Sequence, residues 1–335
     1  MITVRSPGRV NLIGDHTDYT GGLVLPMAID RATRLVGSPA ADRVELTSAD
    51  QADVARVELD VRHPERLTPQ WAKYIGGVVA EMRPAQGFAG HVTTTIPIGA
   101  GLSSSAALEL AVALALGFEG TPTQLAQMCQ RAEQRASGVP CGIMDQLCIA
   151  AGQIGHATFI DCRSLEITLV PVPEHLDVVV VFGHSRTLAG SEYATRVAEC
   201  AAAEAAIGPL RDARLVDTTH IDDWTVRARA RHVISENARV LEFCAALATN
   251  DRFEAGRLMN DSHASLAADY ETSTPRMDAL VSELADAPGV WGARMTGGGF
   301  GGCAVALCEP GALDHRLGDS AWVVTASNGA HVVAE

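Results

Sequence analysis

The stretch PIGAGLSSSA, residues 97–106, places two glycines and three consecutive serines directly ahead of an apolar helical pattern. A loop of this kind leaves the first N–H groups of the helix without intrahelical partners and aimed outward. The helix dipole adds partial positive charge at the same point. Gly99 and Gly101 permit positive φ and let an anion come close to the backbone. Ser103, Ser104 and Ser105 can donate to phosphate oxygens or ligate a metal. The chemistry is that of a phosphate cradle, and it is not a Walker A loop, because no Gly-Lys-Ser/Thr follows. A tight turn capping a buried helix would account for one serine, not for three beside two glycines. Two further stretches concentrate chemistry. SPGRVNLIGDHTDYTGG, from residue 6, holds Arg9, Asp15, His16 and Asp18 within ten residues among glycines, as in a polar binding site or else a charged surface turn. GARMTGGGFGGCAVAL, residues 292–307, sets five glycines around one Phe, which suits close approach to a ligand or another loop, or else a flexible hairpin.

The elements that must position these stretches follow from periodicity. Residues 2–5 and 22–29 read as short apolar segments around a polar, Gly-containing turn, and 34–37, 43–48 and 54–60 as strands. TPQWAKYIGGVVAEM (68–82) reads as a helix. Strand 90–96 leads into the serine loop, and a helix follows from Ser104 to Leu116. Residues 121–138 form a helix with Thr121 as N-cap, Pro122 at its first position and Gly138 at its end. A strand at 156–162 follows. The continuous β-branched run in LDVVVVFGHS, 176–185, predicts a buried strand. Helices are expected at 190–207, 225–248, 251–259 and 275–287. Strands 290–295 and 303–309 flank the second glycine loop, with a final pair at 321–325 and 330–334. This mixture lacks regular βαβ alternation and predicts an α+β fold, with a domain boundary near 170–176.

Composition bounds the function. The chain has 335 residues, 47% of them hydrophobic and 20% charged, enough for two domains or one large one. Its 40 acidic against 26 basic residues give a net charge of −14, which repels nucleic-acid backbones but leaves room for a local phosphate site. There is no uninterrupted membrane-length apolar run and no basic-then-apolar leader. Eight cysteines, at 129, 141, 148, 162, 200, 244, 303 and 308, form no CxxC pair and read as buried free thiols. The expectation is a cytoplasmic protein with no nucleic-acid, membrane or protein partner implied.

Taken together, GRVNLIGDHTDYTGG, PIGAGLSSSAALE and ARMTGGGFGGC resemble the three ordered motifs of the GHMP kinase superfamily and, within it, the galactokinase family. CGIMDQ (141–146), SEY (191–193) and SHASLAADYETSTP (262–275) extend the resemblance over almost the whole chain. It implies a two-domain fold, 1–173 and 174–335, with the active site in the cleft between them. It also implies ATP- and Mg²⁺-dependent phosphorylation of a monosaccharide, α-D-galactose at its anomeric hydroxyl. A kinase for a related sugar or cyclitol is the alternative, and a catalytically silent sugar-and-ATP binder is a third possibility.

The resemblance also assigns residues. Asp145 falls beside the attacking hydroxyl and Arg9 pairs with it, keeping it ionised and steadying the transferring phosphoryl group. Asp15, His16, Thr17, Asp18, Gly142 and Tyr193 fall on sugar-binding positions. Gly99, Ala100, Gly101, Leu102, Ser103, Ser104 and Ser105 hold the ATP phosphates, and Ser105 and Glu133 ligate Mg²⁺. Trp71 stacks on adenine or packs in the core, and Ser48 touches the nucleotide. There are departures: Asp15 stands where glutamate is usual, Lys73 where asparagine is usual, and SEYATRVAEC lacks part of a basic run.

Overall fold

The computed structural model describes residues 1–185 and 191–334. Its strands are β1 (Ile2–Ile13), β2 (Leu23–Ala40), β3 (Arg43–Ser48), β4 (Ala55–Glu58), β5 (Gly87–Thr94), β6 (His156–Asp161), β7 (Ile167–Pro171), β8 (Asp177–His184), β9 (Val290–Thr296), β10 (Gly302–Cys308), β11 (Ala321–Val324) and β12 (His331–Val332). Its helices are α1 (Ala72–Met82), α2 (Ser104–Ala115), α3 (Pro122–Ser137), α4 (Met144–Ala151), α5 (Ser191–Ile207), α6 (Trp224–Ala248), α7 (Arg252–Ala268) and α8 (Pro275–Ala285). The mixed α+β reading holds.

Two sheets organise the chain. One runs β12-β1-β2-β5-β3-β4, with β6 and β7 attached through β2. The other runs β11-β8-β10-β9. Every pairing is antiparallel except β3 with β5. Helices α1 to α4 pack together beside the first sheet, with α2 lying against β1 and β2. Helices α7 and α8 cover β9 of the second sheet, and α6 packs between α5 and α7 and against β1, β2 and β7 of the first. The centre of the run at 176–185, Val178 to Val181, is buried on both sides for a visible reason. Val178 and Val180 join a core with Val4, Leu12 and Leu110, while Val179 and Val181 join another with Leu266 and Met277. After β11 the chain returns to the first sheet, where Val332 pairs with Val4.

Several boundaries differ from the periodicity. The polar, Gly-containing turn expected between 5 and 22 is present only from Gly14 to Gly22, and residues 6–13 before it are extended strand, so β1 runs on to Ile13. Its register shifts at Pro7/Arg9 and Asn11/Ile13 re-aim the side chains between them. The segments at 22–29 and 34–37 are one strand. Helix α1 starts at Ala72, not 68. Helix α7 continues through Ala268, nine residues beyond the expected end, because its polar face reads as loop. Helix α4 carries no periodic signal: it is eight residues long, and its N-cap, Ile143, offers no side-chain cap. Residue 190, the expected start of α5, lies outside the described residues. Among the described residues no helix is long and apolar enough to cross a membrane.

Candidate active site

Arg9 is where the site closes. It sits on β1 just after the first register shift, and its backbone N–H donates to Leu102 O at 3.2 Å. Its Nη1 donates to Gly101 O at 2.7 Å. Its Nε and Nη2 donate to Asp145 Oδ1 and Oδ2 at 2.7 and 2.8 Å, a bidentate fork. Burial opposes the guanidinium charge, but Asp145 outweighs it and holds Arg9 above its ordinary value. Asp145 stands in the first turn of α4. It also accepts from Ser103 Oγ at 2.5 Å, so its two oxygens are fixed from three directions.

The serine loop is built as its composition suggests. Gly99 and Gly101 take φ of +78° and +80°, and Ser103, at φ 61°, turns the chain into α2. Ser103 occupies the N-cap position without capping, because its hydroxyl is committed to Asp145. Ser105 Oγ donates to Glu133 Oε1 at 3.0 Å, and Gln146 Nε2 donates to Glu133 Oε2 at 2.5 Å. Burial first, then the charge of Asp145, pushes Glu133 up to about 7. Behind it, Glu109 on α2 is fully buried and raised well above the usual carboxylate range by burial and by Glu133. Hard oxygen donors crowded against one another in this way suit a divalent cation. Among the described residues no three His, Cys, Asp or Glu could hold a metal by themselves. Protein oxygens would therefore form part of a shell that phosphates and water complete.

The other end of the site is aromatic and acidic. His16 Nδ1 lies 3.0 Å from Tyr19 Oη, and the Tyr19 and Tyr270 hydroxyls share a short hydrogen bond. The His16 ring lies 5.6 Å from that of Tyr193 and 4.7 Å from that of Tyr270. Asp18 Oδ1 accepts from the Tyr19 N–H at 3.0 Å. Burial, then the nearby Asp145 charge, pushes Asp18 up to about 7. Gly142 is packed so tightly that a β-carbon there would lie 2.0 Å from Asp18 Oδ2.

Asp15 is held from behind. Arg294 Nη2, on β9, donates to Asp15 Oδ2 at 2.5 Å, and the Gly297 N–H donates to Oδ1 at 3.1 Å. Burial pushes Asp15 up against the opposing pull of Arg294. His232 Nε2 lies 3.1 Å from Asp15 O. Glu236 Oε1 accepts from the Gly14 N–H at 2.9 Å and from Ser262 Oγ at 2.7 Å, and Arg239 Nε donates to its Oε2 at 2.7 Å. The short carboxylate is therefore already engaged by the second glycine loop.

A cavity of about 600 Å³ opens among these groups, and part of them line it. Of the residues expected at the site, Arg9, Asp15, His16, Asp18, Ser48, Trp71, Gly99, Gly101, Ser103, Ser104, Ser105, Glu133, Gly142, Asp145 and Tyr193 line it. Three do not. Ala100 and Leu102 are buried beneath the loop, and the Thr17 hydroxyl is directed at Gly14 O and Leu23 O. Trp71 both lines the cavity and packs on the core, its Nε1 donating to Asp53 O at 3.2 Å. Ser48 Oγ accepts from the Asp50 N–H. Sequence reasoning missed Tyr19, Gln146, His232, Glu236, Tyr270 and Arg294. Tyr19 and Tyr270 lie inside quoted motifs and Gln146 follows Asp145, so proximity was the available signal. Arg294 too lies inside a quoted motif, whereas His232 and Glu236 act across more than 200 residues and lie in none.

Family models match three parts of the chain. The galactokinase galactose-binding signature matches residues 2–39, the GHMP kinases N terminal domain 73–153 and the GHMP kinases C terminal domain 243–317. Galactokinase from Bos taurus is 46% identical over 331 residues, 93% of this chain and 84% of that protein. Galactokinase from Roseiflexus sp. is 45% identical over 339 residues, 93% and 85% respectively. The crystal structure of Lactococcus lactis galactokinase complexed with galactose superposes with a TM-score of 0.91 at 32% identity, covering 99% of this chain and 95% of that one. A mevalonate kinase shares the fold, with a TM-score of 0.71 at 19% identity over 98% of this chain and 100% of that one.

Proposed function

The chain belongs to the galactokinase family of the GHMP kinases, and on that premise we propose that it transfers the γ-phosphoryl group of ATP to the anomeric hydroxyl of α-D-galactose. One observation carries the assignment of the chemistry: the Arg9–Asp145 fork, joined by Ser103, lies where the phosphate loop meets the sugar signature.

The acceptor hydroxyl donates to Asp145, which orients it toward the phosphorus and takes its proton as the new bond forms. Arg9 ties Asp145 to the loop carbonyl of Gly101, so acceptor and phosphate sites keep a fixed separation. Backbone N–H groups at the start of α2 and the hydroxyls of Ser104 and Ser105 hold phosphate oxygens. Asp15, His16, Asp18 and Tyr193 bind the sugar. Ser105 and Glu133 fit a Mg²⁺ ion, which when bound neutralises charge on the ATP phosphates. Trp71 and Ser48 border the nucleotide end. The division into 1–173 and 174–335 belongs to the same reading, and eight free thiols support residence in a reducing cytoplasm.

ADP release with ATP, Mg²⁺ and a panel of galactose, 2-deoxygalactose, N-acetylgalactosamine, glucose, arabinose and a cyclitol tests this. Turnover should be fastest on galactose. Faster turnover on another member would move the substrate, and none on any would overturn the reading.

A further inference from the structure

The cavity wall carries five carboxylates, those of Asp15, Asp18, Asp50, Glu133 and Asp145. A polyanion such as ATP enters such a wall at a Coulombic disadvantage. Two side chains of permanent positive charge also line it, Arg9 and Lys73. Arg9 is neutralised by its fork to Asp145. Lys73, on the first turn of α1, makes no side-chain hydrogen bond or ion pair with any described residue, and it is half-buried in the wall that Trp71 and Ser48 share. It is also the only lysine in the chain; every other basic position is arginine. The two are not equivalent. A guanidinium fork would pair with carboxylates of the wall, whereas an ammonium on a flexible stem is a compact charge with three rotatable donors.

We infer that Lys73 is a phosphate ligand of this chain, supplying to the ATP polyphosphate the mobile positive charge that the serine loop lacks. This rests on the reading of ATP as the phosphoryl donor. It deepens that reading by adding a cationic contact from α1, on the opposite side of the loop's own N–H donors in sequence and outside its motif.

A single lysine makes the test direct. The intact protein is acetylated with limiting acetic anhydride, with and without ATP·Mg²⁺, and peptide masses separate Lys73 from the Met1 amine. Galactose phosphorylation is assayed in the same preparation, so a failure of ATP use is seen separately from a failure at Lys73. ATP should slow Lys73 acetylation several-fold without protecting Met1. Lys73→Met should raise the ATP KM about tenfold, the size of one charge-assisted contact. It should leave the galactose KM unchanged and flatten the salt dependence of the ATP KM, and Lys73→Arg should restore only a minor part of the loss, because its fork pairs with the wall carboxylates. In an active preparation, acetylation unaffected by ATP would overturn the inference. So would an ATP KM in Lys73→Met within twofold of the parent, even with protection, because protection would then be simple shielding.

Discussion

Replacing Gly142 by alanine should break sugar recognition and spare the nucleotide. The backbone at Gly142 lies outside the left-handed region, so alanine is acceptable there on conformational grounds. The obstacle is steric: the new β-carbon would lie 2.0 Å from Asp18 Oδ2, 2.2 Å from Cγ and 2.7 Å from Oδ1, where real contacts begin at 3.0 Å. The Asp18 carboxylate must therefore retreat by about 1 Å. A hydrogen bond of about 2.7 Å to a sugar hydroxyl then stretches to about 3.7 Å and ceases to be one. A hydrogen bond to a charged group contributes about 1.5–3 kcal/mol. Galactose kcat/KM should accordingly fall about tenfold to 150-fold. Initial rates at varied galactose and ATP, with ATP binding by calorimetry, give both numbers. Because the damage runs through Asp18, Gly142→Ala should add little to Asp18→Asn in a double-mutant cycle. A galactose kcat/KM within threefold of the parent, or full additivity with Asp18→Asn, would refute the reasoning.

Three further outcomes are expected. Asp145→Asn should lower turnover at least about a hundredfold with ATP affinity near that of the parent; near-parental turnover would remove Asp145 from the mechanism. Arg294→Met strands the buried Asp15 carboxylate and should destabilise the fold by about 3–5 kcal/mol, read as a lower denaturant midpoint, and an unchanged midpoint would mean that Asp15 finds another donor. The third concerns pH. Asp18 titrates at about 7 in the fold, raised by burial and by Asp145, but near 4 when unfolded. Between those values the native chain keeps a proton that the unfolded chain has released, so this group's contribution to stability falls as pH rises and is fully lost above about 7. His232 and His263, lowered by burial to about 4, contribute with the opposite sign up to their unfolded value near 6.5. The difference between parent and variant isolates Asp18. Asp18→Asn should gain stability relative to the parent from pH 5 to pH 8, and a constant difference in melting temperature would contradict the assigned shift.

Local signals carried most of the site. The positive φ at Gly99 and Gly101 and the start of α2 at Ser104 follow from residue types a few positions apart. The double-sided burial of β8 follows from four consecutive valines. What depended on distance in the chain was illegible. Asp15 and Arg294 each lie in a readable motif, but they are 279 residues apart, and neither motif announces that the two pair. Helix α4 was hidden for another reason: eight residues buried among α2, α3 and β2 need no amphipathic period and have no capping side chain. The motif around Asp145 was readable, but the element presenting it was not.

The hold of Arg9 on Leu102, Gly101 and Asp145 makes β1 a gauge block between the two reactants. On the proposed reading, one residue touches both the loop that holds the donor and the carboxylate that meets the acceptor. On that reading, the spacing across which phosphoryl transfer runs is set by the register of β1. Substrates arrive at a distance already chosen, and errors in that distance are errors of strand pairing, made before any sugar or nucleotide is met.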